Sequence, residues 1–388
     1  MATPSIAMIP SGYKAEKIYS VLPTDGDGDF TFDRNSTATR VNKNGLIEQV
    51  ATDVPRLDYS NGSCPNLLLE PSSVNLITKS NEVTSVSGAI INLNAAISPD
   101  GTLNAFKIKF TGGSSNSGGL FSLQSQTSNF AADTLYTLSF YAKNLVGNGQ
   151  VTARIDTDLG IVKQESFTAT SNWQRYTVSF TTDAGSTKFS SNCRFKNFQE
   201  NGEVLFYGVQ LEKNLFATSL IPTTNGILTR GQDSASKGGL SSYINSTTGV
   251  LYSELSTVLN TDEKRISLSD GSNLNRVEFG FDTASNSLRV IVKDNDNDVL
   301  NTAIAISNNI TDFLKIAIKY ESGDTKVFVN GVLIGSPSTV AFGTIGTMDR
   351  LNLSTHTSSA FHFQGKIKDI RVYNTVLTDT ELQTLTTI

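Results

Sequence analysis

The feature that most constrains this chain is a period of two. Apolar side chains recur at every second position in "AFKIKF" (Phe106, Ile108, Phe110), in "LYTLSFYAKN" (Tyr136, Leu138, Phe140) and in "NWQRYTVSFTT" (Tyr176, Val178, Phe180). The same spacing gives Leu205, Tyr207, Val209 and Leu211, then Val277, Phe279 and Phe281, then Leu288, Val290 and Val292, then Leu314, Ile316, Ile318 and Tyr320. Successive side chains of a strand point to opposite faces, so each row predicts a strand with one face in a core. The runs are short and bounded by turn residues, the pattern of sandwiches and barrels. Six Asn-Gly dipeptides, at 44–45, 61–62, 148–149, 201–202, 225–226 and 330–331, punctuate them. Gly, and Asn more than most other residues, accepts the positive φ that a two-residue hairpin turn demands. The sharpest case is "KVFVNGVLIG", which predicts Val327–Val329 paired with Val332–Ile334. One helix is predicted, in "LTDTELQTLTT", where Thr378 and Glu381 have capping-box spacing ahead of Leu382 and Leu385.

The predicted fold class is therefore all-β, and 388 residues suffice for about two to four domains. Residues 1–75 read as β-hairpins, one turning at Asn44-Gly45 between "TATRV" and "LIEQV" and one at Asn61-Gly62, with too little alternation for a core of their own. Residues 76–228 and 238–388 each read as an antiparallel β-sandwich of the jelly-roll kind, expected to fold without the first 75 residues. "TRGQDSASKGG" supplies the boundary, with 229–237 as linker, and "TGGSSNSGG" reads as a loop within a domain. The apolar parity shifts between Ile367 and Ile370, which predicts a β-bulge.

Charge and cysteine narrow the function classes. A net charge of −5 and a pI near 5.2 argue against nucleic acid or an anionic membrane as partner. No apolar run reaches the length of a membrane span, so no membrane insertion is expected. The N-terminus has no basic start followed by a sustained apolar stretch, so no secretory signal is expected. Cys64 and Cys193 are far apart in sequence and have no paired Cys/His spacing, which fits folding in a reducing cytoplasm.

Chemistry-bearing motifs are sparse. "TDGDGDFTFDRNS" alternates Asp25, Asp27 and Asp29 with glycine, yet an EF-hand count from Asp25 puts Phe30 at position 6 and Ser36 at position 12. "KDNDNDVL" fails the same count, with Val299 and Ala305 at those positions. Both read as solvated turns, and no metal site is assigned. His356 and His362 could share one strand face, but read as surface histidines near a loop. No Gly-x-Ser-x-Gly elbow, phosphate loop or Glu-x-Asp-x-x-Glu pair of glycosidase type is present. The expectation is a non-enzyme with no catalytic residue and no cofactor. Sugar-binding sandwiches commonly use an exposed aromatic ring with amide and carboxylate hydrogen bonds. Trp173 is the one tryptophan, but it opens a strand and reads as packing against the core or its edge, so the carbohydrate-binding residues stay unassigned.

These segments carry resemblances. "DFTFDRNSTATRVNKNGLIEQVATDVPRLDY" followed by "NLLLEPSSVNLI" resembles an N-terminal attachment module of structural proteins of tailed bacteriophages, especially fibre and appendage proteins. "YTLSFYAKN", "NWQRYTVSFTT" and "GVQLEKNLFATSLIPTTNGILTR" resemble the carbohydrate-binding-module-like jelly roll that follows it in such proteins. "TKVFVNGVLIG" and "GKIKDIRVYNTVLTDTELQTL" resemble the laminin-G/concanavalin-like lectin sandwich. The resemblance implies a virion structural protein (tail, collar or head fibre) made in the host cytoplasm. Residues 1–75 would join other virion proteins, and a homotrimer would present lectin-like domains to host-surface glycan. A purely structural capsid-decoration or collar role and a polysaccharide depolymerase are the alternatives.

Overall fold

The computed structural model describes residues 1–86, 88–111, 118–123, 130–197, 201–258, 263–355 and 361–388. Among them, antiparallel strands make up nearly all the regular structure, with one α-helix and one short 3-10 turn. The chain divides into two compact units. Ser36–Gln49 and Ser72–Gly231 form a central unit, while Met1–Asn35, Val50–Pro71 and Gln232–Ile388 form a C-terminal unit.

The central unit is built on two five-stranded sheets. One runs in the order Val83–Ser85, Gly118–Phe121, Arg194–Lys196, Gln150–Thr157, Gly160–Thr168. The other runs Ala89–Ile97, Leu103–Phe110, Glu203–Glu212, Leu135–Val146, Gln174–Thr181. The predicted rows Phe106/Ile108/Phe110 and Tyr136/Leu138/Phe140 lie fully buried in its core. The row in Glu203–Glu212 is different. Val204 and Phe206 face the core with Val209 and Leu211, whereas Tyr207 packs in a separate cluster with Ile47 and Leu220. The register steps from Ser139↔Gln210 to Tyr141↔Tyr207, so Gly208 and Val209 together oppose Phe140. Gly208 takes φ +64° in this bulge, and the extra residue swaps the two faces of the strand. A buried polar network ties the ends of this unit. Ser73 and Thr218 donate to Glu212 Oε1, at 2.7 and 2.5 Å, and the Ile221 amide donates to Gln210 at 2.6 Å. Asn75 Oδ1 accepts from the amides of Ile77 and Leu211. The hydroxyls and amides of "SVN" and "QLE" are thus mutually satisfied, as burial requires. The middle of "TGGSSNSGG", residues 112–117, lies outside the described residues.

The C-terminal unit holds an eight-stranded and a seven-stranded sheet around one core. The first has the order Val332–Ser338, Thr325–Val329, Leu314–Glu321, Thr248–Thr257, Gly365–Tyr373, Asn66–Leu69, Arg56–Asp58, with Ile6–Met8 also on Gly365–Tyr373. The second has the order Asn297–Ala305, Ser287–Asp294, Arg276–Phe281, Lys264–Ser269, Arg350–Asn352, Ser234–Lys237, Thr31–Asp33. Val329 pairs with Val332 across Asn330-Gly331, at φ +49° and +82°, as the hairpin motif predicts. The helix spans Asp379–Thr386 with the capping box of Thr378 and Glu381 formed. Glu254↔Asp369 is followed by Leu255↔Ile367, so the bulge falls at Lys368.

Residues 1–75 do not gather into a module of their own. They are shared between the two units, and the strands Ile6–Met8, Thr31–Asp33, Arg56–Asp58 and Asn66–Leu69 complete the C-terminal sheets. The physical reason is an open edge. Gly365–Tyr373 pairs with Thr248–Thr257 on one side, and its other side is covered in halves by Asn66–Leu69 (Leu67↔Ile367) and Ile6–Met8 (Met8↔Ile370). Nor do residues 229–237 behave as a linker. Leu228–Arg230 pairs with Ser73–Asn75, Ser234–Lys237 is a strand inside the seven-stranded sheet, and Asp233 between them is buried.

Candidate functional site

The seven-stranded sheet turns Ile266, Leu268, Val277, Phe279, Phe281, Leu288, Val290 and Val292 into the core. Strand alternation places Arg265, Arg276, Glu278, Gly280, Arg289 and Ile291 on its other face. Register sets them in rows: Arg265↔Gly280↔Arg289 across three strands, and Ser267↔Glu278↔Ile291 beside it. Over these rows lies a cleft of about 400 Å³, lined also by Glu263, Asp282 and Phe361. That volume is within the ~300–1,000 Å³ of small-molecule sites.

The charges of the cleft are ordered. Arg265 Nε lies 3.3 Å from Glu278 Oε1, and its Nη2 donates to Glu263 Oε2 at 3.2 Å. Its Nη1 donates to the carbonyls of Lys264 and Phe281, and the guanidinium sits 5.7 Å from the Phe361 ring centroid. Burial pulls Arg265 below the ordinary arginine value against the opposing pull of Glu278, yet a guanidinium stays charged throughout. Arg276 Nε is 3.7 Å from Glu278 Oε2, and Arg276 Nη1 donates to Asn273. Arg289 Nη2 donates to Asn301 at 2.6 Å. Gly280 has no room for a side chain, because a Cβ there would meet the Lys264 carbonyl oxygen at 1.6 Å. The floor between Arg265 and Arg289 is therefore bare. Phe361 is 48% exposed, so part of its ring is accessible from the cleft.

The sequence singled out none of these residues. The signal was there in the polar partners of the buried rows: "KRISLS", "RVEFGF" and "SLRVIV" put a charged residue on the same face of three neighbouring strands. Which strands are neighbours is the missing fact. Of the residues the sequence did weigh, Trp173 is half-buried against the cluster of Ile47, Tyr207 and Leu220, and its indole N–H donates to the Ile97 carbonyl at 3.2 Å. His356 lies outside the described residues. His362 bridges Arg265, and burial holds its imidazole below the ordinary value. Asp25 and Asp27 each accept from the Tyr243 hydroxyl at 3.0 Å, and Asp29 accepts from the Ser20 amide at 2.7 Å. Asn295 and Asp296, at φ +49° and +66°, form the turn between the paired residues Asp294 and Asn297. Among the described residues no three His, Cys, Asp or Glu side chains converge as metal ligands. Cys193 is buried, which pushes its thiol up to about 12, and Cys64 is exposed; both are free thiols.

Fold and cleft together define a lectin-like β-sandwich. Residues 256–383, which include every residue of the cleft, match the Concanavalin A-like lectin/glucanases superfamily, a stretch well under half of the chain. The comparison with curated proteins returned no match. Among solved structures the chain is similar to the Ruminococcus gnavus IT-sialidase CBM40 bound to alpha2,3 sialyllactose, at 19% identity and TM-score 0.32, over 37% of this chain and 84% of that one. It is similar to domain 4 of AbnA, a GH43 extracellular arabinanase from Geobacillus stearothermophilus, in complex with arabinotriose, at 16% identity and TM-score 0.32, over 40% and 73%. It is also similar to the CBM22-1-CBM22-2 tandem domain of Paenibacillus barcinonensis Xyn10C, at 12% identity and TM-score 0.26, over 77% and 96%. At such TM-scores, what those modules bind is a statement about them alone.

Proposed function

We propose that this chain is a fibre-type appendage protein of a tailed-bacteriophage virion that binds host-surface glycan, without turning it over, in the cleft on the seven-stranded sheet. The observation that carries the glycan reading is the cleft itself: an exposed aromatic ring, charged donors and charged acceptors around a bare glycine floor. Such a mixture suits a ligand with one apolar face and a rim of hydroxyls, as a pyranose has. The superfamily match over residues 256–383 supports a lectin-like domain. The virion role rests on the sequence resemblance of residues 29–77, as do attachment to other virion proteins through residues 1–75 and a homotrimer. Several linked sites would raise weak single-site binding by making later contacts intramolecular.

The test is adsorption of the labelled full-length chain to candidate host cells, with free glycan as competitor. Saturable binding that glycan displaces, lost in Phe361→Ala at unchanged melting temperature, is the expected result. Binding unaffected by Phe361→Ala would move the site elsewhere. Release of reducing sugar from host polysaccharide would replace binding with hydrolysis.

A further inference from the structure

The cleft's charged groups differ in how far they are already used. Glu278 faces both Arg265 and Arg276, and Glu263 is paired with Arg265. Arg265 spends its Nε, Nη1 and Nη2 groups on those carboxylates and on two carbonyls. Arg289 is different. Among the described residues its single hydrogen bond goes from Nη2 to Asn301, so Nε and Nη1 have no partner, and one of the guanidinium's two paired-donor edges, Nε/Nη2 or Nη1/Nη2, keeps both of its N–H groups free. Asp282, in the same cleft, accepts from its neighbour Thr283 and forms no ion pair with Arg289 among the described residues. Beside Arg289 lies Gly280, and beyond Gly280 lies Arg265, its guanidinium 5.7 Å from the Phe361 ring centroid.

We propose that the cleft selects a carboxylated sugar, its carboxylate held on the free paired-donor edge of the Arg289 guanidinium and its ring lying over Gly280 against Phe361. This rests on the glycan-binding reading above and specifies it. A neutral sugar would use Asp282 and Glu263 as acceptors for hydroxyls and would leave the Arg289 fork solvated. A planar carboxylate matches that fork with two parallel N–H···O bonds, a pairing that lysine cannot reproduce. The selectivity comes from a directed donor pair and not from a positive field, since the cleft's described arginines and carboxylates are equal in number.

The experiment is calorimetric titration of the full-length protein with two oligosaccharide series, one ending in a nonulosonic acid and one in a hexuronic acid. Each is run beside its carboxyl-reduced counterpart. One acid series should bind, and reduction of its carboxyl should weaken binding roughly tenfold or more, the loss of a charge-assisted hydrogen-bond pair. Arg289→Gln should remove that preference at unchanged melting temperature, and Arg289→Lys should restore little of it. Equal binding of acid and reduced sugar, still lost in Phe361→Ala, would overturn the carboxylate and leave glycan binding standing. No binding of either series or its reduced form at any concentration would overturn both. A preference that survives Arg289→Gln would place the carboxylate elsewhere and overturn the assignment.

Discussion

Asp233 is where the buried charges of the C-terminal unit meet. Arg34 Nη1 lies 3.0 Å from it, Arg56 Nη2 binds its other oxygen, and Arg56 Nη1 reaches Glu70 at 2.6 Å. The Glu70 amide also donates to Asp233, at 2.8 Å. Arg56 is fully buried, so replacing it leaves two carboxylates without their shared cation in a low-dielectric site. Arg56→Ala should cost the C-terminal unit about 3–5 kcal/mol, read by denaturant unfolding. A loss below about 1 kcal/mol, the level of a surface pair, would show that the network is solvated. His362 offers a second test. Burial holds its folded-state value below the ordinary 6.5, so above that pH both states carry a neutral ring and it contributes nothing. As pH falls through 6.5 the unfolded chain takes the proton first, stability drops, and the drop ends once pH is below the folded value. The melting temperature should therefore fall more steeply as pH drops below the ordinary 6.5 in the native chain than in His362→Gln. Parallel slopes would sink this assignment. Neither residue's role was legible in the sequence. Arg56 sits 177 positions from Asp233 along the chain, and no local pattern announces a partner at that range.

Elements were legible wherever their signal was local. The Asn330-Gly331 hairpin, the capped helix and the bulge between Ile367 and Ile370 each depend on a few neighbouring residues, and each forms as its motif predicts. The row at Leu205/Tyr207/Val209/Leu211 misled because one glycine, Gly208, inserts a bulge that alternation alone cannot show. The cleft was hidden for a related reason. Its arginines lie on separate strands, and only strand order places Gly280 between Arg265 and Arg289. The helix provides an element-scale prediction. Leu382 and Leu385 pack with Val250, Tyr252, Ala317 and Phe328, covering apolar side chains on the sheet face turned away from the main core. Thr378 caps it by accepting from the Glu381 amide while the Glu381 carboxylate accepts from the Thr378 amide. Thr378→Ala removes one half of that exchange and should cost about 1 kcal/mol, seen as faster amide exchange across residues 379–386. Unchanged protection there would mean that packing of the two leucines holds the helix without its cap.

At the scale of the whole chain, the N-terminal residues carry more of the fold than their sequence implies. Ile6, Met8, Ile18, Phe30, Leu57, Leu67 and Leu69 all belong to the core of the C-terminal unit. Burying each such side chain is worth roughly 1.5–3 kcal/mol, so removing seven forfeits on the order of 10 kcal/mol or more. A domain has about 5–15 kcal/mol in all. The same cut removes Arg34 and Arg56 from Asp233 and opens the edge of Gly365–Tyr373. Residues 76–388 should therefore not fold as the sequence division implies. Scanning calorimetry of the full chain should show transitions for two units, and the truncated chain should lose the C-terminal one or aggregate through its bared strand. A truncated chain that keeps the C-terminal transition within a few degrees would mean that these strands are accessory to the sandwich. The result also governs how virion attachment can be tested. If the N-terminal strands are structural, a deletion cannot separate mounting from folding. Substitutions at exposed positions of residues 1–75, such as Lys14, Lys17 and Tyr19, are then the variants in which incorporation and stability come apart.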